Sequence, residues 1–541
     1  MAERKLILLL SGEIASGKTT LSKNLQDKYG FKVSRTREGI KKRYHASRSR
    51  EDLQIFGEKL DKTTKGRWVL EHFQDEFYTS FFENDFFVID SVRIKEQIEQ
   101  FRRAYGYSVF HIHLLSSDAT LYDRFIKRGE NKDLGERKLK RKYSEFKKNN
   151  TESQVNELAD KADLVIDTDR CNANDVFVKV VCFLKLLPPN DSELVDIIVG
   201  GQFGSEGKGQ VAAYLSPNYD CLLRVGGPNA GHSVYEEPIH DVFHLLPSGT
   251  NRNKTAKLIL GPGSVINLKK ILEEVKKFGI EDRKRLIIDE NVTVISEEDI
   301  KNEKKYKKNI GSTTQGVGYA TAKNIIERIK GKNSHKAKHF KELSSFIGSS
   351  FEELQFLFRH NKKILLEGTQ GTLLSLHHGI YPYVTSRDTS ASGCLSEAGI
   401  SPKRVRKIIL VTRTYPIRVA GNSGPFLSNE IGWNDVSKRS RIKINELLNR
   451  EKTTTTKRDR RVAEFSWPLF QKSCELNSPT DIALTFSDYI CIENRKAKRY
   501  EQLTSETKRM IEEVERCAGV PVSLISTSFD YRAIIDRRNW I

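Results

Sequence analysis

Two short stretches constrain this chain more than anything else in it. "GEIASGKT", residues 12–19, follows the apolar run "KLILLLS". "GGQFGSEGKG", residues 200–209, follows "VDIIV" and precedes "QVAAYLS". Each reads as strand, glycine-rich turn, then helix, a unit whose turn amides and helix N-terminus wrap a phosphate. Units of this kind build parallel sheets covered by helices on both faces. With two of them in 541 residues, more than one core is required. The expected fold is α/β: two P-loop-type α/β domains, each a mostly parallel sheet flanked by helices.

"KLILLLSG", "FFVIDSV", "SVFHIHLL" and "ADLVIDT" predict the strands of a first domain over residues 1–187, closed by the helix "VFVKVVCFLKLL". "PPNDSE", residues 188–193, predicts a linker. The apolar runs restart at "VDIIVGG" and continue through "CLLRVGG", "AKLILGPG", "RLIID", "KKILLEG", "RKIILVTRTY", "DIALTF" and "VSLISTS", predicting a second domain over 194–541. No run of 18 or more apolar residues occurs, so no membrane span is expected. Seven scattered cysteines without metal-ligand spacing point to a reducing, cytoplasmic setting. The net charge of +20 concentrates anionic ligands near the chain. No basic motif interleaved with aromatics stands out, so nucleotides are expected as partners and nucleic acid is not.

The first loop fits G-x-x-x-x-G-K-[ST], with Gly12, Gly17, Lys18 and Thr19 in the four defining places. Lys18 would reach the β- and γ-phosphates, and the Thr19 hydroxyl would hold Mg²⁺. Asp90, at the end of "FFVID", would orient Mg²⁺ or a nucleophile. Arg35 and Arg37 lie where an acceptor phosphate would be gripped. Arg124 and Arg128, at helical i,i+4 spacing, would clamp the transferring charge. This segment resembles the nucleoside monophosphate kinase group of P-loop proteins, which implies phosphorylation of a nucleotide. Transfer to a polynucleotide end stays open beside it.

The second loop alone is not a standard P-loop, but its neighbours add weight. "RVGGPNAGHSVY" places His232, in a predicted loop, beside Asn229, where general-acid chemistry is favoured. "IGSTTQGVG" is a hydroxyl- and glycine-rich phosphate-binding candidate. "LEGTQGTLLSLHHGIYPYVTS" holds too many glycines and small polar residues to be core.

Together with "FHLLPSGT", "GPGSVI", "RTYPIRVAGNSGPF", "TTTKRDRR" and "GVPVSLISTS", these motifs make residues 194–541 resemble adenylosuccinate synthetase along nearly their whole length. The resemblance implies a ligase. A nucleoside triphosphate, ATP or GTP, phosphorylates the 6-oxygen of a purine monophosphate, and L-aspartate displaces that phosphate. It implies that Gly204, Glu206, Gly207, Lys208 and Gly209 bind the triphosphate, with Asp488 and Ser526 at its base. His232 would be the acid, with Lys208 beside it in catalysis. The Gly231 carbonyl would be an Mg²⁺ ligand. Asn229, Ser312, Thr313, Gln370 and Thr385 would hold the acceptor nucleotide, and Thr456, Arg458 and Arg460 the carboxylates of aspartate. A homodimer is expected.

The chain departs from that family at several points. Ser205 stands where the family has a catalytic aspartate that takes the N1 proton and contacts Mg²⁺. Three readings follow: an inactive nucleotide sensor, an ordinary enzyme acting on inosine monophosphate with another base, or an acceptor carrying a 2-amino group, guanine. The third is favoured, because a viral branch, aminodeoxyadenylosuccinate synthetase, resembles this chain in carrying serine there and in a loop like "TKRDRR", where Lys457 replaces a glycine. Water held by Ser205, or aspartate itself, is then the candidate for taking the N1 proton. Phe486 in "TFSD" replaces a family lysine and would stack on any base, which leans the triphosphate toward ATP. Arg328 lies one position from the arginine that crosses the family's dimer interface.

Overall fold

The computed structural model describes residues 5–44, 50–127, 136–147, 154–186, 192–305, 313–331, 334–452 and 459–538. The chain divides into two compact units, residues 1–187 and 188–541. Most of the expected linker, along with Arg128, Ser312, Thr456, Lys457 and Arg458, lies outside the described residues.

The first unit is a five-stranded sheet of β1 (Leu6–Gly12), β2 (Lys32–Ser34), β3 (Phe86–Ile89), β4 (Val109–Leu115) and β5 (Leu164–Asp167), in the order β2-β3-β1-β4-β5. All its pairings are parallel. Side chains alternate across a strand, so both faces of β1 are buried: Leu6, Leu8 and Leu10 enter one core and Ile7 and Leu9 the other. That double burial is why β1 reads as a continuous apolar run. Helix α1 (Lys18–Tyr29) starts directly after Gly17, whose φ of 105° only glycine adopts without strain.

The second unit repeats this construction on a larger scale. Its strands are β6 (Val195–Gly200), β7 (Cys221–Arg224), β8 (His232–Glu236), β9 (Ile239–Phe243), β10 (Lys257–Leu260), β11 (Val265–Ile266), β12 (Leu286–Asp289), β13 (Thr293–Val294), β14 (Ile347–Gly348), β15 (Ile364–Glu367), β16 (Val405–Arg413), β17 (Ile417–Val419), β18 (Glu430–Ile431), β19 (Arg460–Ala463), β20 (Asp481–Thr485), β21 (Val522–Ser526) and β22 (Ile534–Asp536). Ten of these form one sheet in the order β14-β12-β10-β7-β15-β6-β16-β20-β21-β22. Every pairing is parallel except β21 with β22. Ile198 packs into the core on one face, and Ile197 and Val199 into the core on the other. Helix α2 (Lys208–Leu215) follows Gly207, again left-handed at φ 88°.

Parallel order has a functional consequence. The carboxyl ends of β6, β7, β15, β16 and β20 lie along one edge of the sheet, and their loops meet there. Those loops carry "GGQFGSEG", "VGGPNAG", "GTQG", "TYPI" and "FSDY". In the first unit the loops after β1, β2, β3 and β5 converge in the same way. Both units are α/β with mostly parallel sheets flanked by helices, as expected.

Candidate active sites

In the first unit the converging loops enclose a cavity of about 600 Å³ lined by Lys18, Thr19, Thr36, Arg37, Asp90, Arg93, Arg124 and Thr168, among others. The Lys18 ammonium donates to the carbonyls of Gly12 (2.6 Å) and Glu13 (2.9 Å), which holds it over the loop. Asp90 accepts from the Thr36 amide (3.1 Å) and hydroxyl (3.2 Å), while burial pushes its carboxyl above the usual range. Arg124 donates to the Thr168 hydroxyl (2.8 Å) and carbonyl (2.7 Å), which turns it toward the cavity. Arg35 is a correction: its side chain is exposed and is not among the lining residues, whereas its neighbour Arg37 is. Arg93 went unrecognised, although its place three residues after Asp90 in the same turn was a usable signal. Four cations against one acid suit a phosphate donor and an anionic acceptor.

In the second unit the loops enclose a cavity of about 470 Å³. Gly204, Ser205, Asn229, Gly231, Thr313, Gln370, Thr385 and Arg460 all line it, so eight residues singled out in the sequence come to one cavity. Thr313 donates to Asn229 Oδ1 (2.8 Å) and Gln370 Nε2 to the Thr385 hydroxyl (2.8 Å), which fixes both pairs. Gln370 Oε1 is buried with no partner among the described residues, leaving an acceptor for a ligand donor.

His232 opens strand β8 and does not lie in a loop. Its Nδ1 bonds Glu367 Oε1, at the end of β15. Glu367 also accepts from the Ser248 amide (2.7 Å) and stands 3.6 Å from Arg224. Burial alone would raise the Glu367 carboxyl, but Arg224 and His232 hold it at about 2. An ionised Glu367 accepts only, so the His232 proton sits on Nδ1 and Nε2 carries the lone pair. Nε2 is buried without a partner among the described residues. Burial and the Arg224 charge push the ring down to about 4. A triphosphate placed beside it would reverse that balance and favour the acid form. Glu367 was not singled out in the sequence, where it stood as one glutamate ahead of a glycine turn.

Glu206 is the clearest correction. Its carboxylate turns inward, accepts from the Gln202 (3.0 Å) and Gly204 (2.7 Å) amides, and pairs with Lys208 Nζ at 2.6 Å. A buried anion in that position would repel a triphosphate, so Glu206 shapes the loop from within and does not face a phosphate. Phe486 is a second correction. The Arg413 guanidinium lies 3.9 Å from its ring centroid, and Phe529 and Tyr489 meet it edge-on, so it is not an open stacking platform. Asp488 is buried and accepts from Arg495 Nε (3.0 Å); burial raises its carboxyl to about 6. Neither Asp488 nor Ser526, whose hydroxyl donates to the Ser528 carbonyl (3.0 Å), lines the cavity.

Comparison with known proteins bears on both units. Residues 197–335 and 328–494 match the adenylosuccinate synthetase family model, and residues 8–157 match an AAA domain model. The adenylosuccinate synthetase of Methanococcus aeolicus is 38% identical over 351 residues, covering 63% of this chain and 99% of that protein. The fully ligated adenylosuccinate synthetase of Plasmodium falciparum superposes with a TM-score of 0.55 at 25% identity, over 64% of this chain and 100% of its own. The succinoaminodeoxyadenylate synthetase of cyanophage S-2L, solved with dGMP and with dATP as energy donor, does so with a TM-score of 0.53 at 26% identity, over 64% of this chain and 95% of its own. The chain belongs to the adenylosuccinate synthetase family: it is a C–N bond-forming ligase that carries a P-loop, kinase-like AAA domain ahead of the ligase unit.

Proposed function

We propose that the ligase unit joins L-aspartate to the 6-position of guanosine or deoxyguanosine monophosphate at the expense of ATP. The observation that carries this reading is Ser205, which the phosphate loop places on the lining of the acceptor cavity together with Gln370. A carboxylate there would fill the space beside C2 of the purine; a shorter hydroxyl leaves room for a 2-amino group and accepts a hydrogen bond from it. The cyanophage relative, bound to dGMP, supports the same acceptor.

Chemistry follows from the arrangement. The γ-phosphoryl group passes to the purine O6, which turns a poor leaving group into a good one. The N1 proton leaves to water held by Ser205 or to the substrate aspartate; the aspartate amine then attacks C6, phosphate departs, and the amine's proton passes to solvent. His232, oriented by Glu367, holds its Nε2 for the negative charge that develops on O6 and phosphate. Lys208, braced by Glu206, holds the triphosphate side. Arg460, with Thr456 and Arg458, takes the carboxylates of aspartate.

Mg²⁺ fits the donors present. Among the described residues no group of three or more histidine, cysteine, aspartate or glutamate side chains could hold a metal. Mg²⁺ is commonly bound by one or two protein oxygens plus phosphates and water, which the Gly231 carbonyl and, in the first unit, the Thr19 hydroxyl supply. Bound there, it would neutralise phosphate charge.

ATP is favoured over GTP because Asp488, the acid that would read guanine, is already engaged by Arg495. The first unit is proposed to phosphorylate a nucleoside monophosphate related to the ligase substrate or product. A homodimer is supported by the exposed Tyr319, Ile325, Ile326 and Ile329, which lie on and just after the helix Val317–Glu327 beside Arg328. No helix among the described residues is long and apolar enough to cross a membrane, and all seven cysteines are free, which supports a reducing, cytoplasmic setting.

The test is turnover of the whole chain with ATP or GTP, aspartate and each of IMP, GMP and dGMP, followed by the absorbance of the succinyl-purine. Product from a guanine nucleotide is expected. Product from IMP alone refutes the guanine reading, and no product at all favours a sensor.

A further inference from the structure

Glu451 has no role in the chemistry above, yet it is buried behind the ligase cavity, bonded to Arg460 on the cavity lining. Its Oε1 accepts from Arg413 Nη2 (2.8 Å) and from the Tyr489 hydroxyl (2.7 Å), and its Oε2 from Arg460 Nη1 (3.0 Å). Each partner reaches a different part of the site. Arg413 donates from Nη1 to the Ser205 carbonyl (3.2 Å), exchanges hydrogen bonds with Gln202 across the base of the phosphate loop, and stacks on Phe486. Tyr489 meets the Phe486 ring edge-on. Arg460 lines the acceptor cavity.

The electrostatics make this more than a brace. One buried guanidinium, Arg413, and one partly exposed guanidinium, Arg460, share one carboxylate, so the cluster keeps an excess positive charge. Glu451 is held ionised: burial opposes this, but Arg413 and Arg460 lower its carboxyl to about 2. Each guanidinium is oriented by the same anion, so a shift of one changes how firmly the other is held. Arg413 reaches the phosphate loop through the Ser205 backbone carbonyl, so a nucleoside triphosphate bound by that loop would bear on Arg413. A dicarboxylate in the cavity meets Arg460. The only described carboxylate between these guanidinium groups is Glu451.

We propose that Glu451 is a positioning residue that couples occupancy of the triphosphate side to binding of the amino-donor dicarboxylate through the bridge Arg413–Glu451–Arg460. This rests on the ligase reading above and adds to it an ordered coupling between two substrates.

The experiment measures the aspartate KM of the full chain at triphosphate concentrations below and above half-saturation, for wild type, Glu451→Gln and Tyr489→Phe. In the wild type, aspartate KM is expected to fall as triphosphate rises. Glu451→Gln keeps the side-chain shape but removes the charge; its aspartate KM should rise roughly tenfold and lose its dependence on triphosphate, with kcat changed far less. Tyr489→Phe leaves both guanidinium groups in place and should shift KM in the same direction by a smaller factor, which preserves the test should the first variant not fold. Aspartate KM within about twofold of wild type with the dependence intact, or loss of kcat at unchanged KM, overturns the coupling. A wild type that turns over with variants that keep the dependence overturns this inference alone; a wild type without turnover on any acceptor overturns the ligase reading with it.

Discussion

Ser205 and His232 show how far a single residue's chemistry depends on what folds against it. His232 was recognisable as a candidate acid from its glycine-rich surroundings, but the group that gives it a direction, Glu367, comes from 135 residues along the chain. Long-range pairing of this kind leaves no local trace in a sequence. Glu206 was misread for a related reason: spacing places it in the loop but does not say which way its carboxylate turns, and its bond to Lys208 decides that. His232→Asn is expected to cut kcat by about 10²–10⁴-fold, the range for loss of a general acid, with little change in triphosphate KM. A fall in KM-determined binding with kcat preserved would show that His232 serves binding instead. Glu367→Gln should lower kcat less, since it weakens orientation of the ring without removing it.

At the scale of elements, the strands that could be read from the sequence are those buried on both faces. β1, β6, β15 and β16 are rich in valine, isoleucine and leucine because their two faces pack into separate cores. β2, β11, β13, β14, β17, β18 and β22 are two or three residues long, too short to carry a period, and the hairpin β8–β9 mixes polar and apolar residues on a half-exposed ribbon. Packing inside the first sheet makes a prediction of its own. Ser11 Oγ lies 2.6 Å from His111 Nε2 and 2.8 Å from His113 Nδ1, joining β1 to β4. Burial lowers both rings to about 4, so both are neutral in the fold at pH 7 and take up protons on unfolding. Their contribution is complete above about pH 6.5 and is lost as pH falls toward 4, by up to about 1.4 kcal/mol per pH unit for each ring. Calorimetry of the chain between pH 7 and pH 5 should show the first unit's transition moving down, and His113→Gln should flatten that slope; an unchanged slope would mean that His113 is already protonated in the fold. In the loop after β7, a Cβ on Gly226 (φ 101°) would stand 2.0 Å from Thr369 Oγ1. Gly226→Ala should therefore destabilise the ligase unit by about 1–3 kcal/mol, seen as a lower unfolding midpoint.

At the scale of the whole molecule, the chain places two phosphate-handling sheets in series, each with its own core and its own cavity. That two-part organisation was readable because both phosphate loops are local signals: glycines at left-handed positions, then a lysine at the first turn of a helix. Independent cores predict independent activities. Lys18→Ala should abolish phosphoryl transfer by the first unit and leave succinyl-purine formation within about twofold of wild type. Loss of both would show that the units share one catalytic cycle.

The choice of acceptor base is the claim on which the functional account turns, and it belongs to one position. The direct measurement is the ratio of kcat/KM for dGMP to that for IMP, in the wild type and in Ser205→Asp, with ATP and aspartate saturating. The account predicts a wild-type ratio well above one that falls at least tenfold in the variant, about 1.4 kcal/mol of discrimination. An equal ratio in both proteins, or a wild type that prefers IMP, would contradict it.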